Sequence, residues 1–136
     1  MKKIIFIICL SLGLSSCALI DKLEDQFADI TRVWNLQKQF INNIEQDVTS
    51  CTINNKFDIA DNNILLFYKY DLDDANCKSS TNSGRWSTFG NSLTINWDEP
   101  IAGESSYDIE IVQLTQSTLK MKRKLINGDF LEEIYN

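Results

Sequence analysis

From Arg32 to the end of the chain, apolar side chains recur at every second position in short runs broken by turn-forming pairs. Leu93, Ile95 and Trp97 alternate with Thr94, Asn96 and Asp98; Tyr107, Ile109 and Ile111 alternate with Asp108 and Glu110; Leu119, Met121 and Leu125 alternate with Lys120, Lys122 and Lys124. A period of two gives each run one apolar and one polar face, the signature of half-buried strands. The chain has one proline, Pro100, so little interrupts these runs. Eight strands are expected, at about 32–41, 55–60, 63–70, 84–89, 92–98, 106–114, 118–126 and 129–136. Asp61-Asn62, Gly90-Asn91, Thr115-Gln116 and Asn127-Gly128 supply tight turns; the Asn-Gly pair predicts a type I′ hairpin, with positive φ at both residues. Longer connections are expected at 71–83 and 99–105. Antiparallel strands joined by hairpins close most simply into an up-and-down barrel, which has no free edge. A two-sheet sandwich shows the same alternation but needs longer crossovers. The run 63–70 is apolar on both faces, so one face needs a cover from outside.

The N-terminus differs in kind. Met1-Lys2-Lys3 precedes an apolar run from Ile4 to Leu14, then Ser15-Ser16-Cys17. Basic start, apolar stretch and small residues are the layout of a secretory signal, and the run falls short of the roughly 20 residues a spanning helix needs. Leu14-Ser15-Ser16-Cys17 resembles the lipobox of bacterial lipoproteins. That resemblance implies a signal peptide over 1–16, cleavage before Cys17 and acylation of the Cys17 thiol and amine. With Ala18 after the cysteine, it also implies the outer membrane, with the lipid as the membrane partner. Residues 17–31 read as a lipidated tether with a short helix, because Ile20, Leu23, Phe27 and Ile30 fall on one helical face.

Without residues 1–16, Lys2 and Lys3 are lost, so 11 of the 13 basic residues face all 19 acidic ones, a formal charge of −8. Such a chain repels phosphate backbones, so no nucleic-acid partner is expected. Cys51 and Cys77 are an even pair in an oxidising compartment, and a disulfide between them is the economical reading. It closes a loop of about 25 residues, worth about 3–4 kcal/mol. The chain has no histidine, which removes Ser-His-Asp and Cys-His catalysis and most zinc sites; no enzyme activity, metal or cofactor is expected. Asp71-Leu72-Asp73-Asp74-Ala75-Asn76 lacks the fifth-position ligand and turn glycine of a calcium loop and reads as a solvated acidic loop. Adjacent Glu132 and Glu133 point to opposite faces of their strand and share no site.

The order of short motifs over 31–136 resembles the lipocalin-like domains of small bacterial lipoproteins. The resemblance rests on a tryptophan in the opening strand (Val33-Trp34-Asn35), a cysteine before the second strand (Cys51) and Asn54-Asn55-Lys56-Phe57. It continues with Cys77 ahead of Gly84-Arg85-Trp86, the strand start Gly90 to Ile95, and a hairpin from Leu114 to Leu119. Arg32 stands where lipocalins carry the glycine of Gly-x-Trp. The resemblance implies an all-β, eight-stranded antiparallel lipocalin-like barrel over 32–136, with an arginine late in the barrel packed over the early tryptophan, here Arg123 over Trp34. In a second reading Arg123 faces the cavity and pairs with a ligand. Lys38 is in phase with Trp34 and Leu36, its stem inward and its amine at the rim. Trp34, Lys38, Phe57, Trp86, Ile95, Trp97, Met121 and Arg123 are thus the expected wall of a site for a small apolar or amphipathic ligand. The alternative is a filled barrel that docks another envelope protein, since eight strands lie at the border between a packed interior and a ligand chamber.

Overall fold

The computed structural model describes residues 29–73 and 75–136. The expected signal peptide, Cys17 and most of the tether helix lie outside them. Among the described residues there are nine strands: β1 (Val33–Ile41), β2 (Ile44–Gln46), β3 (Lys56–Ile59), β4 (Ile64–Asp73), β5 (Asn76–Phe89), β6 (Ser92–Ile101), β7 (Glu104–Leu114), β8 (Leu119–Lys124) and β9 (Phe130–Tyr135). All pairings are antiparallel, in the order β2-β1-β3-β4-β5-β6-β7-β8-β9, and β1 also pairs with β9, closing eight strands into a barrel. The short β2 adds to the outer end of β1 through Asn42-Asn43, both at positive φ. That is the geometry a type I′ turn requires, and Asn tolerates it.

The register sorts side chains into inside and outside, because directly paired residues share a face. Trp34 opposes Phe57, which opposes Phe67. Leu65 opposes Gly84, Trp86 opposes Ile95, Ile95 opposes Tyr107, and Leu119 opposes Tyr135. These residues are the core, with Trp34, Leu36, Leu65, Leu93, Ile95 and Leu119 fully buried. Ile30, Trp34, Leu119 and the turn 115–118 lie at one end, the base; the 42–55 segment and the tips of the β4–β5, β6–β7 and β8–β9 hairpins lie at the other, the rim.

Three expectations need correction. Residues 71–83 are not a loop: Asp71, Leu72 and Asp73 pair with Lys78, Cys77 and Asn76, so β4 and β5 run on as one long hairpin. Ion pairs Lys69–Asp71 (2.9 Å) and Lys78–Asp73 (3.9 Å) lie along it. Residues 99–105 are likewise a tight hairpin, Ile101 pairing with Glu104 through Ala102-Gly103 at positive φ. At Asn127-Gly128 only the glycine has positive φ; the Gly128 N–H bonds the Leu125 carbonyl (2.9 Å) and the Leu125 N–H the Asp129 carbonyl (2.8 Å), a longer bulged turn in place of type I′.

Outward residues of β4 are partly covered. Lys56 lies 4.7 Å over the Tyr68 ring, and the Tyr70 N–H donates to Asn55 Oδ1 (2.7 Å). Gly84 marks the closest approach of β5 to β6: a Cβ there falls 2.6 Å from the Asn96 carbonyl oxygen. Gly84→Ala therefore forces two strands apart and is expected to cost about 1–3 kcal/mol, measured as a shift in the urea midpoint; an unchanged midpoint would refute the close packing.

Candidate functional site: a polar cluster inside the barrel

One irregularity decides which β1 residues face the interior. Between Leu36 and Lys38, β1 carries one residue more than β9, so the inward phase changes. Trp34 and Leu36 point inward before the bulge; after it Gln39 and Ile41 do, opposite Glu133 and Leu131. Lys38 accordingly faces out, half exposed, and pairs with Glu45 at 3.1 Å. The expected inward Lys38 is corrected, because strict alternation does not survive an inserted residue. On β8 the expected phase holds: Leu119, Met121 and Arg123 face in, while Lys120 pairs outside with Glu132 at 3.0 Å and Lys122 lies over Phe130.

Arg123 and Trp34 do not meet. Trp34 shares the base with Leu119, and Arg123 is four residues further along β8, about 13 Å at strand rise. The Trp34 ring is covered instead by Arg32, whose guanidinium lies 5.0 Å from the ring centroid and donates to the Gln116 carbonyl. The indole Nε1 donates to the Ile30 carbonyl (2.8 Å). The residue that stands in the glycine position of Gly-x-Trp thus closes the base.

Arg123 enters the upper interior. Its guanidinium lies 4.0 Å over the Tyr107 ring, and Nη1 is 3.5 Å from Glu104 Oε2. Trp97 meets the same tyrosine edge-on at 5.2 Å and Phe67 at 6.2 Å. Glu133 accepts from Gln39 Nε2 and from the Tyr135 hydroxyl, both at 2.9 Å. Burial pushes the Glu133 carboxyl above the usual carboxylate range, against the pull of these two hydrogen bonds and of Arg123. Burial and the neighbouring Glu133 raise Tyr135 well above an ordinary phenol, and burial raises Tyr107 against the Arg123 charge. One guanidinium is flanked by two carboxylates, so the cluster has no surplus positive charge for an anion.

A carboxyl raised on folding binds its proton more tightly in the folded state. Its stabilising contribution is present below the unfolded value and lost as pH rises through the folded one. Glu133→Gln does not titrate, so its stability relative to the native chain is expected to grow from about pH 4 upward. Urea midpoints from pH 4 to 8 check this; a difference constant with pH would exclude a buried carboxyl at this position.

Two donors are left over. Trp97 Nε1 and Arg123 Nη1 are buried and make no hydrogen bond. An unpaired buried donor costs about 1–3 kcal/mol, so each calls for an acceptor. Beside Arg123, a void lined by Ile109, Met121, Leu131 and Glu133, among others, has a volume near 10 Å³, room for about one water. A larger hollow of about 280 Å³ lies against Thr81, Asn82, Ser83, Asp98 and Glu99.

The other expected wall residues fall as follows. Phe57, Ile95, Trp97 and Met121 are buried in the core. Trp86 is half-buried low in the barrel, its Nε1 bonded to the Ala60 carbonyl (2.9 Å). Cys51 and Cys77 form the expected disulfide, Cα atoms 5.3 Å apart, tying the rim segment to the β4–β5 hairpin. Tyr107 faces inward as its alternation predicts, whereas the place of Gln39, Glu104, Glu133 and Tyr135 in the cluster escaped sequence reasoning. For Glu133 the signal was its phase with Leu131 and Tyr135, masked by the equally apolar Phe130 and Ile134.

A family model described as a lipocalin-like domain matches residues 30–121. A lipocalin-like protein from Bacteroides uniformis is similar in structure, with a TM-score of 0.58 at 14% identity over 79% of this chain and 96% of that one. An uncharacterized protein from Bacteroides eggerthii gives 0.57 at 10% identity over 79% and 98%. Among curated proteins none matches the chain. With its residues 30–121 matched and its barrel closed by β1 on β9, the chain belongs to the lipocalin-like domain family.

Proposed function

We propose that this is a lipoprotein, cleaved before Cys17 and held to the outer membrane by lipid on that residue, whose barrel binds a small amphipathic molecule without catalysis. The observation that carries the binding reading is the pair of buried donors, Trp97 Nε1 without a hydrogen-bond partner and Arg123 Nη1 held only by the 3.5 Å ion pair to Glu104, beside the aromatic core. A ligand oxygen meets that need, and the aromatic surfaces of Phe67, Trp97 and Tyr107 suit an apolar body. Glu104 and Glu133 already flank Arg123, so the ligand's polar end is uncharged.

Titration of residues 18–136 with the neutral fluorescent probe N-phenyl-1-naphthylamine tests this. Saturable binding is expected, competed by neutral amphiphiles whose oxygen can accept these hydrogen bonds. Arg123→Leu is expected to weaken such a competitor about tenfold or more, the value of a hydrogen bond from a charged donor. A second reading, a filled barrel that docks an envelope protein, is favoured by the volume of the void beside Arg123; absence of saturable binding selects it. For the anchor, Cys17→Ser is expected to move the protein out of the membrane fraction, and retention there would refute lipidation.

A further inference from the structure

The 14 residues of β5 pair with β6 only at its lower end, Gly84 to Phe89 opposite Trp97 to Ser92. Above Gly84 the strands part. Lys78–Ser83 pairs with β4 and not with β6, and on the other side Ile101 pairs with β7. Pro100, which cannot donate to a ladder, stands on this free stretch of β6. The wall of the barrel is therefore split in its upper half. The hollow of about 280 Å³ lies in this wedge, with Thr81, Asn82 and Ser83 on one bank and Asp98 and Glu99 on the other. Its apex is the tight Gly84–Trp97 contact. Trp97 is 94% buried there, its Nε1 unpaired, with Phe67, Tyr107 and Arg123 in succession behind it. Across the gap the Ser83 hydroxyl donates to the Asp98 carboxylate.

We infer that this split seam is the ligand's lateral doorway and the site of its head group, and that the ligand is an uncharged polyhydroxylated amphiphile, a glycoside-like head on an apolar tail. The inference rests on the binding reading above. The wedge offers two carboxylates, two hydroxyls, an amide and no basic side chain, so an anionic head is repelled. The free strand edges and the Asn82 amide present donors as well as acceptors. Hydroxyl groups satisfy both kinds, whereas an ammonium head, primary or quaternary, has no acceptor and leaves the donors unmet. The tail then passes Trp97 into the aromatic interior, and the Ser83–Asp98 bond latches the seam.

Stopped-flow tryptophan fluorescence with octyl glucoside, below its micellar concentration, tests this against decanoate and decyltrimethylammonium. The native protein is expected to bind octyl glucoside at least tenfold more tightly than decanoate. Cross-linking the seam in S83C/D98C is expected to slow association tenfold or more, and S83A/D98A, which lacks the latch, to speed it. D98K/E99K, a surface change independent of cross-linking, is expected to shift preference toward decanoate by tenfold. Equal association rates in native, cross-linked and unlatched proteins overturn the doorway and leave the binding reading standing. Equal or tighter binding of decanoate or of decyltrimethylammonium by the native protein overturns the head-group assignment. No uptake of any of the three probes overturns the binding reading and the doorway together.

Discussion

Replacing Trp34 with alanine is expected to cost about 3–5 kcal/mol, the range for deleting a large buried aromatic. Trp34 has no exposed surface, its Nε1 donates to the Ile30 carbonyl, and Arg32 covers its ring. The change leaves a cavity at the base, an unmet carbonyl and a guanidinium without its platform. A domain of this size has about 5–15 kcal/mol in total, so the loss is a large share of the whole. Urea unfolding followed by far-ultraviolet circular dichroism measures it. Arg32→Ala is expected to cost only about 0.5–1 kcal/mol, since it removes a cation–π contact near the surface and opens no large cavity. If the two variants cost the same, the tryptophan is not the keystone of the base.

Removing the Cys51–Cys77 link by Cys51→Ser with Cys77→Ser is the second large effect. The cysteines are 26 residues apart, and constraining a loop of that length in the unfolded chain is worth about 3.5 kcal/mol in the chain-entropy model. The folded state also loses the tie between the rim segment and the β4–β5 hairpin. The double variant is expected to unfold at correspondingly lower urea and to be cut by protease in the 47–55 segment while the barrel persists. A midpoint unchanged from the oxidised native chain would mean that the link contributes nothing beyond what the barrel supplies.

The strands that wall the core were legible because each buries one face. The alternations at Leu93–Trp97, Tyr107–Ile111 and Leu119–Arg123 predict the inward residues correctly. Residues 71–83 were not legible. They form strands beyond the packed interior, with no face to bury, so their Asp, Ser, Thr and Asn composition matches a loop. Lys38 was misphased by a bulge that leaves no mark in residue types. For Arg123 the face was readable and the partner was not. Height along a barrel depends on the stagger between strands, and that stagger puts it beside Tyr107 and Glu104 at one end with Trp34 at the other. The polar cluster was hidden for a related reason, since Gln39 and Glu133 come from opposite ends of the chain.

Closure of the barrel also sets the order in which it is assembled. Apart from β1 on β3, which spans β2 and the 42–55 segment, every other strand pairing joins sequence neighbours across a turn or short loop, whereas β1 on β9 joins residues such as Leu36 and Tyr135, 99 positions apart. Hairpins form in microseconds, but a contact at that separation waits for the whole intervening chain. During synthesis β1 emerges before every other strand of the barrel and is the last to gain its second partner. The fully buried Trp34 and Leu36 then stay solvent-facing until Tyr135 is delivered. A chain shortened by its last six residues would keep its hairpins and lose its ring, leaving two adhesive edges.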